Sequence, residues 1–324
     1  MESAVGREIT PDNFGGHFIQ ENFAPIYSQA IKDFQALVSL EQFEQMGKDY
    51  NKGVKEYQLE MSTSMHHLTQ YIWLDTKRQK GIAVAFDEMN VIHSIYLRPF
   101  LTYPRSDKAY TKNTYQMPIA EGWLVFWGGT NEFVNYHYAY EQQRYAYDLV
   151  IEKEKQSFEG SGEQNEHYYA YGKEIFAPAD GKVVKVLDGI EDNVPGVMNE
   201  AIAEGNCVVI EHDHKEYSML AHLKKGSILV KEGEMVEQGQ LIGQCGNSGN
   251  SSEAHLHFQV MDSQDYHTGK SIRIRLKGNE PIQGETVSHS KTSKENDKVD
   301  RFDTAITLGD ILLTIGRFFS QLFK

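Results

Sequence analysis

Two histidines one residue apart, His255 and His257, sit in the apolar run AHLHFQV of a 324-residue chain. Alternate residues of a strand face the same side, about 7 Å apart along the backbone. Both imidazoles therefore reach one region of space, and a zinc-type metal site is the chemistry this spacing would serve. The chain has 13 histidines, so chance also produces the spacing, and the surroundings must decide. His66 and His67 are neighbours instead; on a strand they would face opposite sides, which suits surface or core histidines better than ligands.

The elements around the HxH pair are those of a β domain. From residue 123 the chain reads as short strands punctuated by glycine turns: WLVFWGG, RYAYDLVI, APADGKVVKV, NCVVIEHD, YSMLAHL, GEMVEQGQLIGQCG and HLHFQVM. Many short strands without intervening helices predict a mainly-β antiparallel sandwich or barrel-like domain. The charged stretch 151–172 reads as a surface insertion. The loop CGNSGNSSEA, with Gly246 and Gly249, supplies turn geometry ahead of the HxH strand, as a substrate-groove wall or a flexible hairpin. Upstream, apolar residues recur at helical steps from 17 to about 60, and Ser39 to Gln42 has capping-box form, which predicts a helical pair. QYIWLD, GIAVAFD and VIHSIYL follow as strands, the last two joined by a turn at Glu88, Met89 and Asn90. This α+β pattern resembles the small cone-shaped, nuclear-transport-factor-like domain that precedes peptidase domains in some bacterial proteins. The expected division is residues 1–101 for the α+β domain, 102–122 for a polar linker with two prolines, 123–286 for the β domain, 287–303 for a second polar linker and 304–324 for an amphipathic helix.

The ordered series APADGKVVKV, NCVVIEH, YSMLAHL and GQLIGQCGNSGNSSEAHLHFQV is similar to the catalytic domain of lysostaphin/LytM-type zinc metallopeptidases, over about half of the chain. In that family a histidine, a following aspartate and the second histidine of HxH hold one zinc ion, while two further histidines serve catalysis. The resemblance implies Asp148 and His257 as ligands and His222 and His255 as catalytic residues. Zinc suits imidazole nitrogen and carboxylate oxygen, and three protein ligands leave a fourth position for water. The two free histidines would then move protons and stabilise developing charge. One position departs from the pattern. The family's first histidine lies four residues before the aspartate, where this chain has Arg144, and a guanidinium has no acceptor to offer a metal. Either His137 in NYHYAYEQQRYAYD replaces it across a longer loop, at a small entropic cost, or the protein is a degenerate member that binds rather than cuts. His167 is a weaker rival. Lipoyl- and biotin-carrier domains share the glycine-punctuated strands, but no lysine stands at a hairpin tip as they require.

Composition narrows the partners. A net charge of -14 argues against a nucleic-acid binder, which needs a basic patch. The expected partner is a peptide or peptidoglycan substrate. Cys207 and Cys245 show no metal or disulfide spacing and read as buried thiols. The first residues, MESAVGREITPDNFGG, lack the charged start and apolar core of a secretory signal, so the compartment stays open between cytoplasm and an envelope reached by another route. In TLGDILLTIGRFFSQLFK the polar residues form one helical stripe, predicting a helix that docks, self-associates or lies on a membrane surface rather than spanning it. The sequence thus predicts a zinc-dependent metalloendopeptidase, with a wall-binding or hydrolase-activating relative as the alternative.

Overall fold

The computed structural model describes residues 8–120 and 122–288. The polar stretch from 289 onward and the amphipathic helix expected over 304–324, with its self-association or membrane contact, lie outside the described residues. No helix among the described residues is long and apolar enough to cross a membrane.

The N-terminal unit packs short helices against a four-stranded antiparallel sheet. Where the periodicity predicts a helical pair, four helices form: α1 (Pro11–Ile19), α2 (Phe23–Ser28), α3 (Lys32–Leu37) and α4 (Leu40–Asn51). The breaks have local causes. Glu21 takes a left-handed φ of 62° after α1, and Pro25 removes a backbone donor in the first turn of α2. At the start of α4, Gln42 N donates to Ser39 Oγ at 3.2 Å and Ser39 N to Gln42 Oε1 at 2.9 Å, the expected capping box. The helical reading runs too far, because β1 (Tyr57–Met65) begins before residue 60. β2 (Leu68–Asp75), β3 (Lys80–Phe86) and β4 (Ile92–Pro99) complete the sheet in sequence order. Asn90 at φ 60° closes the β3–β4 turn, and Asp87 Oδ1 accepts from Met89 N and Val91 N. His66 and His67 belong to the turn between β1 and β2 rather than to a strand. The helices and sheet enclose an aromatic core that includes Phe14, Phe18, Phe23, Phe43, Trp73 and Phe86.

The second unit is an antiparallel sheet of eight strands: β5 (Trp123–Trp127), β6 (Tyr147–Val150), β8 (Gly181–Leu187), β9 (Asn206–His212), β10 (Glu216–Leu223), β11 (Met235–Val236), β13 (Leu256–Met261) and β14 (Thr286–Val287), ordered β11-β8-β9-β10-β13-β6-β5-β14. A two-stranded sheet pairs β7 (Glu174–Phe176) with β12 (Leu241–Gln244). Strand alternation divides the faces. Tyr147, Leu149, Leu220, Leu256, Phe258 and Val260 point into the main core, and Met219, Ala221 and Met261 pack on the other face.

Two stretches read as solvent-exposed contribute to this core. In 102–122, Tyr115, Met117 and Ile119 are buried in it, with Tyr115 N donating to Arg275 O at 2.8 Å and Phe176 N to Pro118 O at 2.9 Å. The prolines and polar neighbours hide a three-residue alternation too short to register as a strand. In 151–172, Ile151 and Ala170 join the core and Ser157 and Tyr168 are buried, between charged residues.

The two units touch through the segment after β5. Phe133 and Val134 pack with Ile72, Leu74 and Ala83 of the first sheet. Gln70 Nε2 donates to Phe133 O at 2.9 Å, and Arg98 pairs with Glu132 at 3.1 Å.

Candidate metal and catalytic site

The site is assembled by strand register. His257 on β13 lies opposite Asp148 on β6, and Ala221 on β10 lies opposite His257 from the other side. Directly opposed residues of an antiparallel pair face the same way at close range. Asp148 and His257, 109 residues apart in sequence, therefore meet: His257 Nδ1 is 2.9 Å from Asp148 Oδ1. His137 arrives from a short turn, Tyr136–Ala139, and places Nε2 3.4 Å from Asp148 Oδ2. One ligand-type atom from each of His137, Asp148 and His257 lies within 4.8 Å of the others, and all three residues are buried.

Arg144, at the position where the resemblance expects a histidine, points elsewhere. Its guanidinium carbon lies 3.4 Å from the Tyr103 ring centroid, and its Nε donates to Tyr138 O at 3.1 Å. It braces the loop that brings His137 in. His167 sits in a separate turn, Asn165–His167, outside the three-residue group.

His222 and His255 flank this group, their ring centroids 4.7 Å apart, with His255 Nε2 3.7 Å from Asp148 Oδ1. His222 owes its aim to a bulge. Register shifts between Leu220 and Leu223, and His222 takes a φ of 61° inside β10, a conformation L-residues adopt at a cost. Its Nδ1 lies 2.8 Å from Ser248 O, and His255 Nδ1 2.9 Å from Glu253 O. A carbonyl only accepts, so both rings carry a proton on Nδ1, and Nε2 is the nitrogen whose lone pair either ring has to offer when neutral. In the loop holding Ser248, Asn247 and Ser248 are fully buried, and Asn193 Nδ2 donates to Gly249 O and Ser251 O. A Cβ on Gly205 would stand 2.4 Å from Ser248 O, so this glycine admits the loop.

A cleft of about 230 Å³ opens onto His222 and His257, walled by Tyr136, Tyr140, Tyr266 and Glu204 among others. Burial pushes His137 down to about 3, with the Asp148 charge offsetting only part of the effect. Burial and the neighbouring histidines likewise hold His222 well below the ordinary histidine range. For Asp148, burial alone would raise the pKa, but His137, His255 and His257 outweigh it and hold the carboxyl below its usual range. Burial also opposes charge on His257, yet its hydrogen bond to Asp148 prevails and raises its pKa.

The residues fit a metal ion. Nε2 of His137 is buried, aimed at Asp148 and without a hydrogen-bond partner, and buried polar atoms are seldom left so. The sequence reading missed Asn135, Gln259 and the cleft tyrosines. Asn135 and Gln259 each stand two residues from a histidine of the group, so the spacing that drew attention to HxH also pointed to them.

The antiparallel sheet and the turns beside it bring three metal-capable donors together, with two further histidines next to them. Residues 166–271 match the model of peptidase family M23; the match includes His222, His255 and His257 and begins after His137 and Asp148. The peptidoglycan DD-endopeptidase ShyB of Vibrio cholerae is 32% identical over 126 residues, 38% of this chain and 24% of that protein. The murein hydrolase activator NlpD of Escherichia coli is 32% identical over 101 residues, 31% of this chain and 22% of that protein. The chain thus matches less than a quarter of the length of either relative. Among solved structures, the catalytic domain of the antimicrobial peptidase lysostaphin from Staphylococcus simulans aligns at 22% identity over 50% of this chain and 88% of that one, with a TM-score of 0.26.

Proposed function

We propose that this protein is a zinc-dependent metalloendopeptidase acting on peptide bonds of peptidoglycan or related wall peptides. In this reading one Zn²⁺ is held by His137, Asp148 and His257, and His222 and His255 are the catalytic residues. The observation that carries it is the buried Nε2 of His137, which makes no hydrogen bond and lies 3.4 Å from Asp148 Oδ2. Two imidazoles and one carboxylate make a donor set that suits zinc with an open fourth position. Bound zinc would supply a lowered water pKa and a polarised carbonyl. In this reading His222 and His255 act through Nε2, accepting a proton from the attacking water and returning it to the departing amine.

The likeness to NlpD, equal in identity to that with ShyB, favours a second reading, a degenerate relative that binds the wall or activates another hydrolase. Elemental analysis of protein prepared without chelator separates the two. About one zinc per chain, lost in His137→Ala and in His257→Ala, together with chelator-sensitive release of peptides from purified peptidoglycan, is the expected result. Absence of zinc from the unsubstituted protein would sink the peptidase reading, and zinc without cleavage would favour the activator. A wall substrate implies work in the cell envelope, which fractionation tests. The N-terminal unit, helices on a four-stranded sheet, is read as the nuclear-transport-factor-like type, and the domain division at 1–101 and 123–286 belongs to the same proposal.

A further inference from the structure

Two fully buried side-chain amides touch the histidines of the metal group, and the orientation of each is fixed by backbone carbonyls. Asn135 Nδ2 lies 3.1 Å from Gly129 O, 3.4 Å from Arg144 O and 3.1 Å from Ala146 O. Carbonyls only accept, so this end of the amide is the NH₂ group. The other end, Oδ1, then faces His137: it accepts from His137 N at 3.1 Å and lies 2.9 Å from His137 Nδ1. An oxygen with no hydrogen forces the proton onto Nδ1, which leaves Nε2 as the nitrogen with a lone pair, the one aimed at Asp148. Gln259 repeats the device on the other ligand. Its Nε2 donates to Gln142 O at 3.0 Å, so its Oε1, 2.9 Å from His257 Nε2, must accept from that ring. With Nε2 held as a donor, Nδ1 is the nitrogen that a neutral His257 ring would offer to a cation; without one it donates to Asp148 Oδ1 at 2.9 Å.

We infer that Asn135 and Gln259 are positioning residues that set opposite tautomers on the two ligand histidines, His137 offering Nε2 and His257 offering Nδ1 to one metal ion. The inference rests on the peptidase reading only for the identity of that ion. Three of the carbonyls that orient the amides, those of Gln142, Arg144 and Ala146, belong to the loop between His137 and Asp148. The long spacing that moves the first histidine away from position 144 therefore carries the parts that aim it. Partners of this kind fix ring orientation and basicity in metal sites, and their loss typically costs about 10- to 100-fold in metal affinity.

The test reads ring N–H positions by long-range ¹H–¹⁵N NMR and zinc affinity by competition with a chromophoric chelator. His137 is read in zinc-free protein, where only Asn135 accepts from it. His257 is read in zinc-loaded protein, because Asp148 competes for its proton until a cation intervenes. The expected spectra carry the proton on Nδ1 of His137 and on Nε2 of His257. Gln259→Leu should weaken zinc binding about 10- to 100-fold while Gln259→Glu, which keeps the acceptor, stays near the parent value. Asn135→Asp should likewise bind more tightly than Asn135→Leu; if the latter fails to fold, the Gln259 pair carries the comparison. Identical tautomers on the two rings, or unchanged affinity in Gln259→Leu, would overturn the inference. Protein that binds no zinc yet holds Nδ1–H on His137 would remove the peptidase reading and leave the role of Asn135 standing. Zinc bound through Nδ1 of His137 would do the reverse.

Discussion

At the scale of single residues, His222 shows how the site departs from ordinary strand geometry to gain its chemistry. A histidine at φ 61° is strained, and the bulge that imposes it turns the ring toward the cleft instead of into the sheet. Glycine tolerates this conformation and alanine does not. His222→Gly should therefore be more stable than His222→Ala by about 1 kcal/mol in thermal or denaturant unfolding. Both should lose about 10²- to 10⁴-fold in peptide hydrolysis if the imidazole transfers the proton. Equal stability of the two variants would mean that the backbone relaxes once the ring is gone. The residue types of the site were legible in the sequence: the HxH pair, Asp148 and His222 all stand where the resemblance put them along the chain. The nitrogen each ring presents was not legible, because that depends on neighbours such as Asn135, Ser248, Glu253 and Gln259, brought in by other elements.

At the scale of elements, β13 and the turn before it connect the cleft to the back of the domain. Glu253, whose carbonyl faces His255 Nδ1, has its own carboxylate near Ser157 Oγ (3.1 Å), with His66 and His255 as the nearby titratable groups. Loss of water around this carboxyl raises its pKa above the usual 4.5, the two histidines and Ser157 only partly opposing the shift. The folded protein then binds this proton more tightly than the unfolded chain does. Stability falls as pH rises through the interval between 4.5 and the raised value, and the loss is complete above it. Glu253→Gln keeps an acceptor for Ser157 and removes the charge, so its melting temperature should exceed the parent's at neutral pH, and the two should converge under acid conditions below the ordinary glutamate value. A constant difference across that range would assign the effect to packing instead. The same elements mark the limit of pattern reading. β2, β3 and β4 were visible as alternating runs, whereas β1 (Tyr57–Met65) was not read as a strand, its first residues falling at the end of the stretch read as helix, and Tyr115, Met117 and Ile119 were lost among polar neighbours.

At the scale of the molecule, the N-terminal unit grips the segment that leads to His137. Phe133 packs with Ile72, Leu74 and Ala83, and a Cβ on Gly81 would meet its ring at 2.5 Å. Two residues further on stands Asn135. Phe133→Ala should lower stability by about 3 kcal/mol through the lost burial and the cavity left behind, and should also weaken zinc binding by freeing one end of the loop. Calorimetry and zinc titration on the full chain check both effects, and unchanged zinc affinity would uncouple the N-terminal unit from the site. The sequence by itself determined the residue types and the order of most strands along the chain, because these follow from spacing and local periodicity, whereas His255, read as part of a strand with His257, lies just before β13 (Leu256–Met261). Only the tertiary structure decided that His137 and not Arg144 faces Asp148, that His167 stays apart, and which ring nitrogens are free. Those outcomes depend on strand register and on hydrogen bonds between residues far apart in the chain, and local spacing carries no record of either.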